Sequence, residues 1–280
     1  MKGGKKQKPR GIKQKIREEK KREERIGLAV VLFSVLVLVM IVSGFTLNSL
    51  LNQLSTSQQV SFSSEPKAAI VDHLSLTMPN QTFIETATTT LEQAGYTVDY
   101  YSGEEVTVEF YRNLPTHGYR IVILRVHSAL VSADKPPVTL FTSEPYSQTG
   151  YISEQLAGQV GWVTYKFENG KPTEPTYFGI SPLFVKKSMK GEFQDATIVM
   201  MGCNGLTYTD MAEAFIERGA KAYISWSDAV LPMHTDSATT HLLQHLLIEK
   251  RTVKQALEDT NRDTGPDSTY NSLLLAYPEE

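Results

Sequence analysis

Apolar positions along this chain fall into three regimes: one unbroken run near the N-terminus, a polar stretch without period, then short apolar runs alternating with amphipathic segments. The run IGLAVVLFSVLVLVMIVSGF, residues 26–45, carries no charge over its 20 residues. At about 1.5 Å per helical residue it reaches roughly the 30 Å of a hydrocarbon core, which predicts one transmembrane helix. A cleaved signal peptide is the competing reading. Its apolar region runs about 7–15 residues behind a short basic segment, and both parts are longer here, which favours an uncleaved signal-anchor. Residues 46–66, rich in Ser, Asn, Gln and Thr, read as a flexible stalk.

From residue 67 to 280 the pattern becomes that of a folded domain. AAIVD suits a buried strand; residues 80–94 have helical spacing and stop at Gly95; YTVDYY is a second strand. Residues 104–114 again read as a helix ending at Pro115, and YRIVILRV is a strongly apolar third strand. Between residues 128 and 195 the rhythm breaks into Pro- and Gly-punctuated pieces such as VTLFTS, GWVTYKF and TYFGIS, which predict short strands or hairpins beside the sheet. Alternation resumes with ATIVMMG, a helix over 210–218, the strand AKAYISW, a helix over 236–249, and TVKQALEDT as a last helix. Strands apolar on both faces and alternating with helices predict an α/β domain, a mostly parallel sheet flanked by helices in three layers.

Charge adds a topology. The net charge of −3 hides twelve Lys or Arg against four Glu in residues 1–25, a balance of +8 that leaves −11 on the remainder. The basic tail precedes the apolar run and no Lys or Arg follows it until Lys67, so the tail is expected in the cytoplasm and the domain on the other side of the membrane. The tail can also touch anionic headgroups, though a plain topology signal accounts for it. An acidic folded part argues against nucleic acid as a partner. With one cysteine, Cys203, no intrachain disulfide can form.

The candidate chemistry lies at two strand ends. His127 closes IVILRVH and Cys203 closes TIVMMGC, and in open α/β sheets functional residues gather beyond the carboxyl ends of strands. A thiol is mostly protonated at neutral pH, and an adjacent imidazole that takes its proton leaves a sulfur able to attack a carbonyl. Gly202 and Gly205 bracket the thiol and allow a tight turn, whose amides can stabilise an oxyanion. Taken singly, Cys203 is as readily a small buried hydrophobe and His127 a hydrogen-bonded strand-end histidine; only the pair points to acyl transfer.

The succession of apolar strand, His127, long insertion, apolar strand and Gly202-Cys203 resembles the caspase-haemoglobinase fold of cysteine peptidases, shared by gingipains, clostripain, separase and CHAT-type peptidases. MAEAFIERGAKAYISWSDAV, succeeded by a helix and TVKQALEDT, is similar to the segment after the nucleophile in CHAT and gingipain-like domains. The resemblance covers about residues 67–260 and implies a caspase-like three-layer sandwich. It implies His127 as general base, Cys203 as nucleophile, and the amides of Ser128 and Cys203 as the oxyanion hole. One departure stands out: the family has His-Gly where this chain has His127-Ser128.

Asp228, after the strand downstream of Cys203, and Asp236, expected to open the next helix, are candidates to meet a basic substrate side chain; both also suit helix capping or a solvated loop. His241 and His245 have the i, i+4 spacing of zinc ligands, with His234 nearby, but read better as a polar helix stripe. Asn80-Gln81-Thr82 forms an N-glycosylation sequon. No cofactor or metal is implied. The expected partners are a peptide or protein substrate and the membrane. Two other readings remain: a silent caspase-like ectodomain that binds a partner, and a redox thiol that pairs between chains.

Overall fold

The computed structural model describes residues 65–132, 135–168, 171–172 and 175–279. The expected tail, transmembrane helix and stalk, apart from Glu65 and Pro66, lie outside the described residues. No described helix is long and apolar enough to cross a membrane.

The first half of the domain runs β1 (Lys67–Asp72), α1 (Gln81–Gln93), β2 (Thr97–Ser102), α2 (Val108–Asn113) and β3 (Tyr119–Arg125). An insertion comes next, with β4 (Ser128–Ser132), β5 (Lys135–Pro145), α3 (Ile152–Leu156), β6 (Val160–Val163), β7 (Phe167–Glu168), β8 (Lys171–Pro172) and β9 (Tyr177–Ile180). The second half is α4 (Pro182–Lys187), β10 (Ala196–Met200), α5 (Asp210–Glu217), β11 (Ala220–Trp226), α6 (Pro232–Leu243), α7 (Val253–Thr264) and β12 (Leu274–Tyr277).

Six strands form the main sheet in the order β12-β11-β10-β3-β1-β2, all parallel except β12. Strand periodicity assigns each side chain to a layer. In β1, Ala69 and Val71 enter one core and Ala68 and Ile70 the other; Val122 and Leu124 divide from Ile121 and Ile123 in the same way. The first layer packs under Tyr111, Phe184, Met211 and Phe215 of α2, α4 and α5, the second under Phe83, Leu91, Leu242 and Leu257 of α1, α6 and α7. Each such side chain contributes about 1.5–3 kcal/mol by leaving water. The α/β sandwich read from the sequence is therefore the one observed.

Three details differ from the sequence pattern. The segment expected as a helix over 104–114 opens with a 3-10 turn at Gly103–Glu105, because Thr107 caps α2 by accepting from the Phe110 amide (3.1 Å). Helix α6 begins at Pro232 and not at Asp236, since proline at the first turn needs no N–H partner. It passes into a π-turn at Gln244–Ile248. The antiparallel edge strand β12 has no counterpart in the sequence reading.

The insertion builds a second, antiparallel sheet in the order β4-β5-β9-β6. Val138, Leu140, Val160, Phe178 and Ile180 turn into the first core layer, which fixes this sheet beside the carboxyl ends of β3 and β10.

Candidate active site

Strands β3 and β10 are direct parallel neighbours, with Leu124 opposite Met200. His127 and Cys203 each lie three residues beyond that pair, on strands spaced about 4.8 Å apart. The two loops are tied together: the Met201 amide donates to the Leu124 carbonyl (2.9 Å) and the Ser128 hydroxyl to the Cys203 carbonyl (2.6 Å). Such an approach requires Gly202, because a Cβ there would lie 2.5 Å from the Val126 carbonyl oxygen. Asn204, at φ 62°, turns the chain back, held by its amide to the Asp228 carbonyl (3.0 Å) and by its side chain to the Asp228 carboxylate (3.1 Å).

The imidazole of His127 is partly buried among rings: Tyr165 at 4.9 Å between centroids, and Phe141 and His73 at 5.9 Å each. Its Nε2 bonds to the Thr77 hydroxyl (3.0 Å), which leaves Nδ1 as the nitrogen available to a thiol. Burial, and then the Arg125 charge, lower its pKa to about 4, so it is neutral at pH 7. Among the described residues no hydrogen bond joins it to Cys203. The Cys203 thiol is half-buried and lies 3.7 Å from the Val230 carbonyl. Burial pushes the thiol pKa up, and the charges of Asp267 and Asp228 add to this. A resting thiolate–imidazolium pair is therefore disfavoured, and proton transfer must accompany attack. Iodoacetamide alkylation of Cys203 is expected to keep accelerating above about pH 9, where a free thiol levels off; a plateau below pH 8 measured by mass spectrometry would contradict this environment.

The candidate oxyanion donors lie on both loops. The Phe141 amide donates to the His127 carbonyl (3.0 Å), and by antiparallel alternation the next amide, that of Ser128, turns away from β5. Around the thiol, the Gly202 amide goes to Met200 Sδ (3.0 Å) and that of Asn204 to Asp228, whereas that of Cys203 has no partner among the described residues.

Asp236 does not face a substrate, contrary to the sequence expectation. It is 4% exposed, and both its oxygens are taken: Oδ1 by Arg125 Nε (2.7 Å), Oδ2 by Arg125 Nη2 (2.9 Å) and Asn80 Nδ2 (2.8 Å). Asp72 accepts Arg125 Nη1 on the other side (2.7 Å) and the Tyr100 hydroxyl (3.2 Å). Arg125 also donates to the Met78 carbonyl (2.9 Å), one residue past Thr77, so this buried network fixes the loop that meets His127. Asn80 of the sequon caps α1 by accepting from the Phe83 amide (3.2 Å) while its amide nitrogen serves Asp236. Asp228 is exposed and stands beside the Cys203 loop, where it shapes the turn through Asn204 and the Ala229 amide (2.7 Å).

Two residues of the cluster escaped the sequence reading. His73 succeeds β1 as His127 succeeds β3; it is fully buried, bonds through Nε2 to the Tyr165 hydroxyl (3.0 Å), and is lowered to about pKa 4 by burial and by His127. Its place at a strand end was a usable signal. Thr77, 50 residues from its partner, gave none. Elsewhere, His241, His245 and Asp263 of α6, its π-turn and α7 place three ligand atoms within 4.8 Å of one another, but Arg262 already pairs with Asp263 (3.0 Å). His234 instead packs on Trp226, 5.2 Å between ring centroids.

No family model and no curated protein sequence matches the chain. Among solved structures it is similar to the crystal structure of the Arg-specific cysteine proteinase gingipain R (RGPB), with 14% identity and a TM-score of 0.43. The match covers 71% of this chain and 42% of that one, so this chain spans less than half the length of that protein.

Proposed function

We propose that this chain is a cysteine peptidase of the non-cytoplasmic side, tethered to the membrane through residues 26–45, which cleaves peptide bonds with Cys203 and His127. The observation that carries the reading is the placement of thiol and imidazole beyond the ends of two adjacent parallel strands, in loops bonded through Ser128 and Cys203. Thr77 holds Nε2 and orients the ring, the arrangement of nucleophile, base and orienting third group. As Sγ attacks the carbonyl carbon, its proton passes to Nδ1 of His127 and the C=O electron pair moves to the oxygen, between the amides of Ser128 and Cys203. Collapse expels the amine, which takes the proton from the imidazolium. Water, deprotonated by the same ring, then attacks the thioester carbonyl, and the C–S bond breaks as the Cys203 sulfur takes that proton back from the imidazolium and the acid leaves.

The test is covalent labelling of the full-length chain in detergent by peptidyl chloromethyl ketones. Cys203→Ser is expected to abolish labelling and His127→Ala to slow it about 100-fold. Equal rates with and without His127 would remove the reaction from consideration. That outcome would favour the second reading, a silent ectodomain that binds a peptide or protein, which has its own support in the raised thiol pKa.

A further inference from the structure

The insertion sheet has one face in the core and one turned outward. Opposed residues of antiparallel strands share a face, so the pairs Ala129–Thr139, Phe141–Gly179 and Gly161–Gly179 place Ala129, Thr139, Phe141, Gly179 and Gly161 together on the outer side. These residues, with Val163, line a half-open trough of about 430 Å³. Among the described residues no charged side chain lines it. Its floor is made by the two glycines. At Gly179 a Cβ would come within 2.5 Å of Val163 Cγ1 and 2.6 Å of Thr139 Cγ2, whereas above Gly161 nothing lies within 4 Å. One end of the trough is Phe141, which packs on the His127 ring and whose amide bonds to the His127 carbonyl. The trough thus adjoins the candidate active site across the Phe141 ring.

We propose that this face is the subsite for a large apolar side chain of the peptide substrate, Leu, Ile or Phe, and that cleavage occurs beside such residues and not beside Arg or Lys. The proposal rests on the peptidase reading. The volume suits one or two large side chains. A guanidinium there would lose its hydration and gain no carboxylate, and Asp236, the acidic candidate with a buried position, is already paired to Arg125. Open space over Gly161 makes a selective block: a Cβ there meets nothing within 4 Å, so Gly161→Val projects its methyls into the trough.

The experiment uses the full-length chain and three chloromethyl ketones carrying two Leu, two Ala or two Arg before the electrophile, with iodoacetamide as a probe of thiol access alone. The Leu probe is expected to label Cys203 about 10-fold faster than the others, and Gly161→Val to erase that advantage by bringing the Leu-probe rate down to that of the Ala probe, with iodoacetamide reporting thiol access in both proteins. Fastest labelling by the Arg probe, or indifference of the Leu probe to Gly161→Val, overturns the subsite and leaves hydrolysis standing. If no probe labels in a His127-dependent way, hydrolysis fails, and the trough is judged by titrating acetyl-Leu-Leu-amide against the fluorescence of Trp162 at its rim, Trp226 being fully buried. A saturable change lost in Gly161→Val sustains an apolar peptide site; no change overturns it.

Discussion

Replacing Arg125 by Met is expected to lower the free energy of unfolding by about 3–5 kcal/mol, a large part of what a domain of this kind possesses. The guanidinium is 1% exposed and sits between two carboxylates, Asp72 at 2.7 Å and Asp236 at 2.7 Å, exposed 2% and 6% at their side chains. Met matches much of its volume but leaves two buried carboxylates without a cation. They retain only the Tyr100 hydroxyl on Asp72 and Asn80 on Asp236, hydrogen bonds that do not neutralise charge. The comparison variant is Asp236→Asn, which keeps Arg125 paired to Asp72 and is expected to cost less than half as much. Urea denaturation of both variants measures the difference. A loss under about 1 kcal/mol for Arg125→Met would mean that water reaches the network and that burial has been overvalued.

The same substitution reaches the site. Arg125 Nη2 holds the Met78 carbonyl, and Asn80, two residues further, is held by Asp236. Both bonds fix the loop from which Thr77 meets His127. The network thus connects stability to the orientation of the imidazole, since a freed Thr77 releases Nε2. Arg125 is in this sense a positioning residue, and its loss should slow peptidyl labelling of Cys203 even where the domain remains folded.

How far the sequence revealed these features depends on the range of the interaction. The strands were legible because a parallel sheet covered on both faces needs runs such as YRIVILRV and TIVMMG, and these alternate between two core layers with a period of two. His127 and Cys203 were legible because each ends such a run. Arg125 carries a signal of its own: of the two arginines in β3 it closes the apolar run IVIL and is buried with it, while Arg120 is exposed, so it needs a buried anion, and Asp236 is a partner 111 residues away. Asp236 was misread because first-turn acidic residues so often serve a helix end, and local reasoning cannot see an ion pair between β3 and α6. Edge strand β12 escaped although GPDSTYNS precedes LLLAY and Pro278 follows it, because a β-α alternation leads one to expect parallel strands and β12 pairs antiparallel with β11. Thr77 had nothing in its neighbourhood to mark it, as a hydroxyl on an exposed loop acquires meaning only from the ring it meets. The trough was equally illegible, because Gly161 and Gly179 become a floor only once β6 and β9 are paired.

The domain is also expected to be acid-labile in a defined window. His73 and His127 have folded-state pKa values of about 4, against 6.5 for the free side chain, because burial disfavours their charged forms and each opposes protonation of the other or feels Arg125. Between pH 6.5 and 4 the unfolded chain therefore binds more protons than the folded one. By linkage, stability falls as pH drops through that window and is unaffected by these groups above it or below about pH 4. For His73 the displacement corresponds to about 3 kcal/mol, and His127, more open to water, adds less, so about 5 kcal/mol is at stake between about pH 7 and 4. His73→Phe keeps the ring volume and cannot take a proton. It is expected to be less stable than wild type at pH 7.5 by about 1 kcal/mol, because the Tyr165 hydroxyl loses its partner, yet to lose clearly less between pH 7.5 and 4.5. Urea midpoints at these two pH values decide the matter: identical pH slopes for wild type and His73→Phe would show that His73 protonates in the folded state without cost, and the dry aromatic cluster around His127 would then have to be redrawn as a hydrated one.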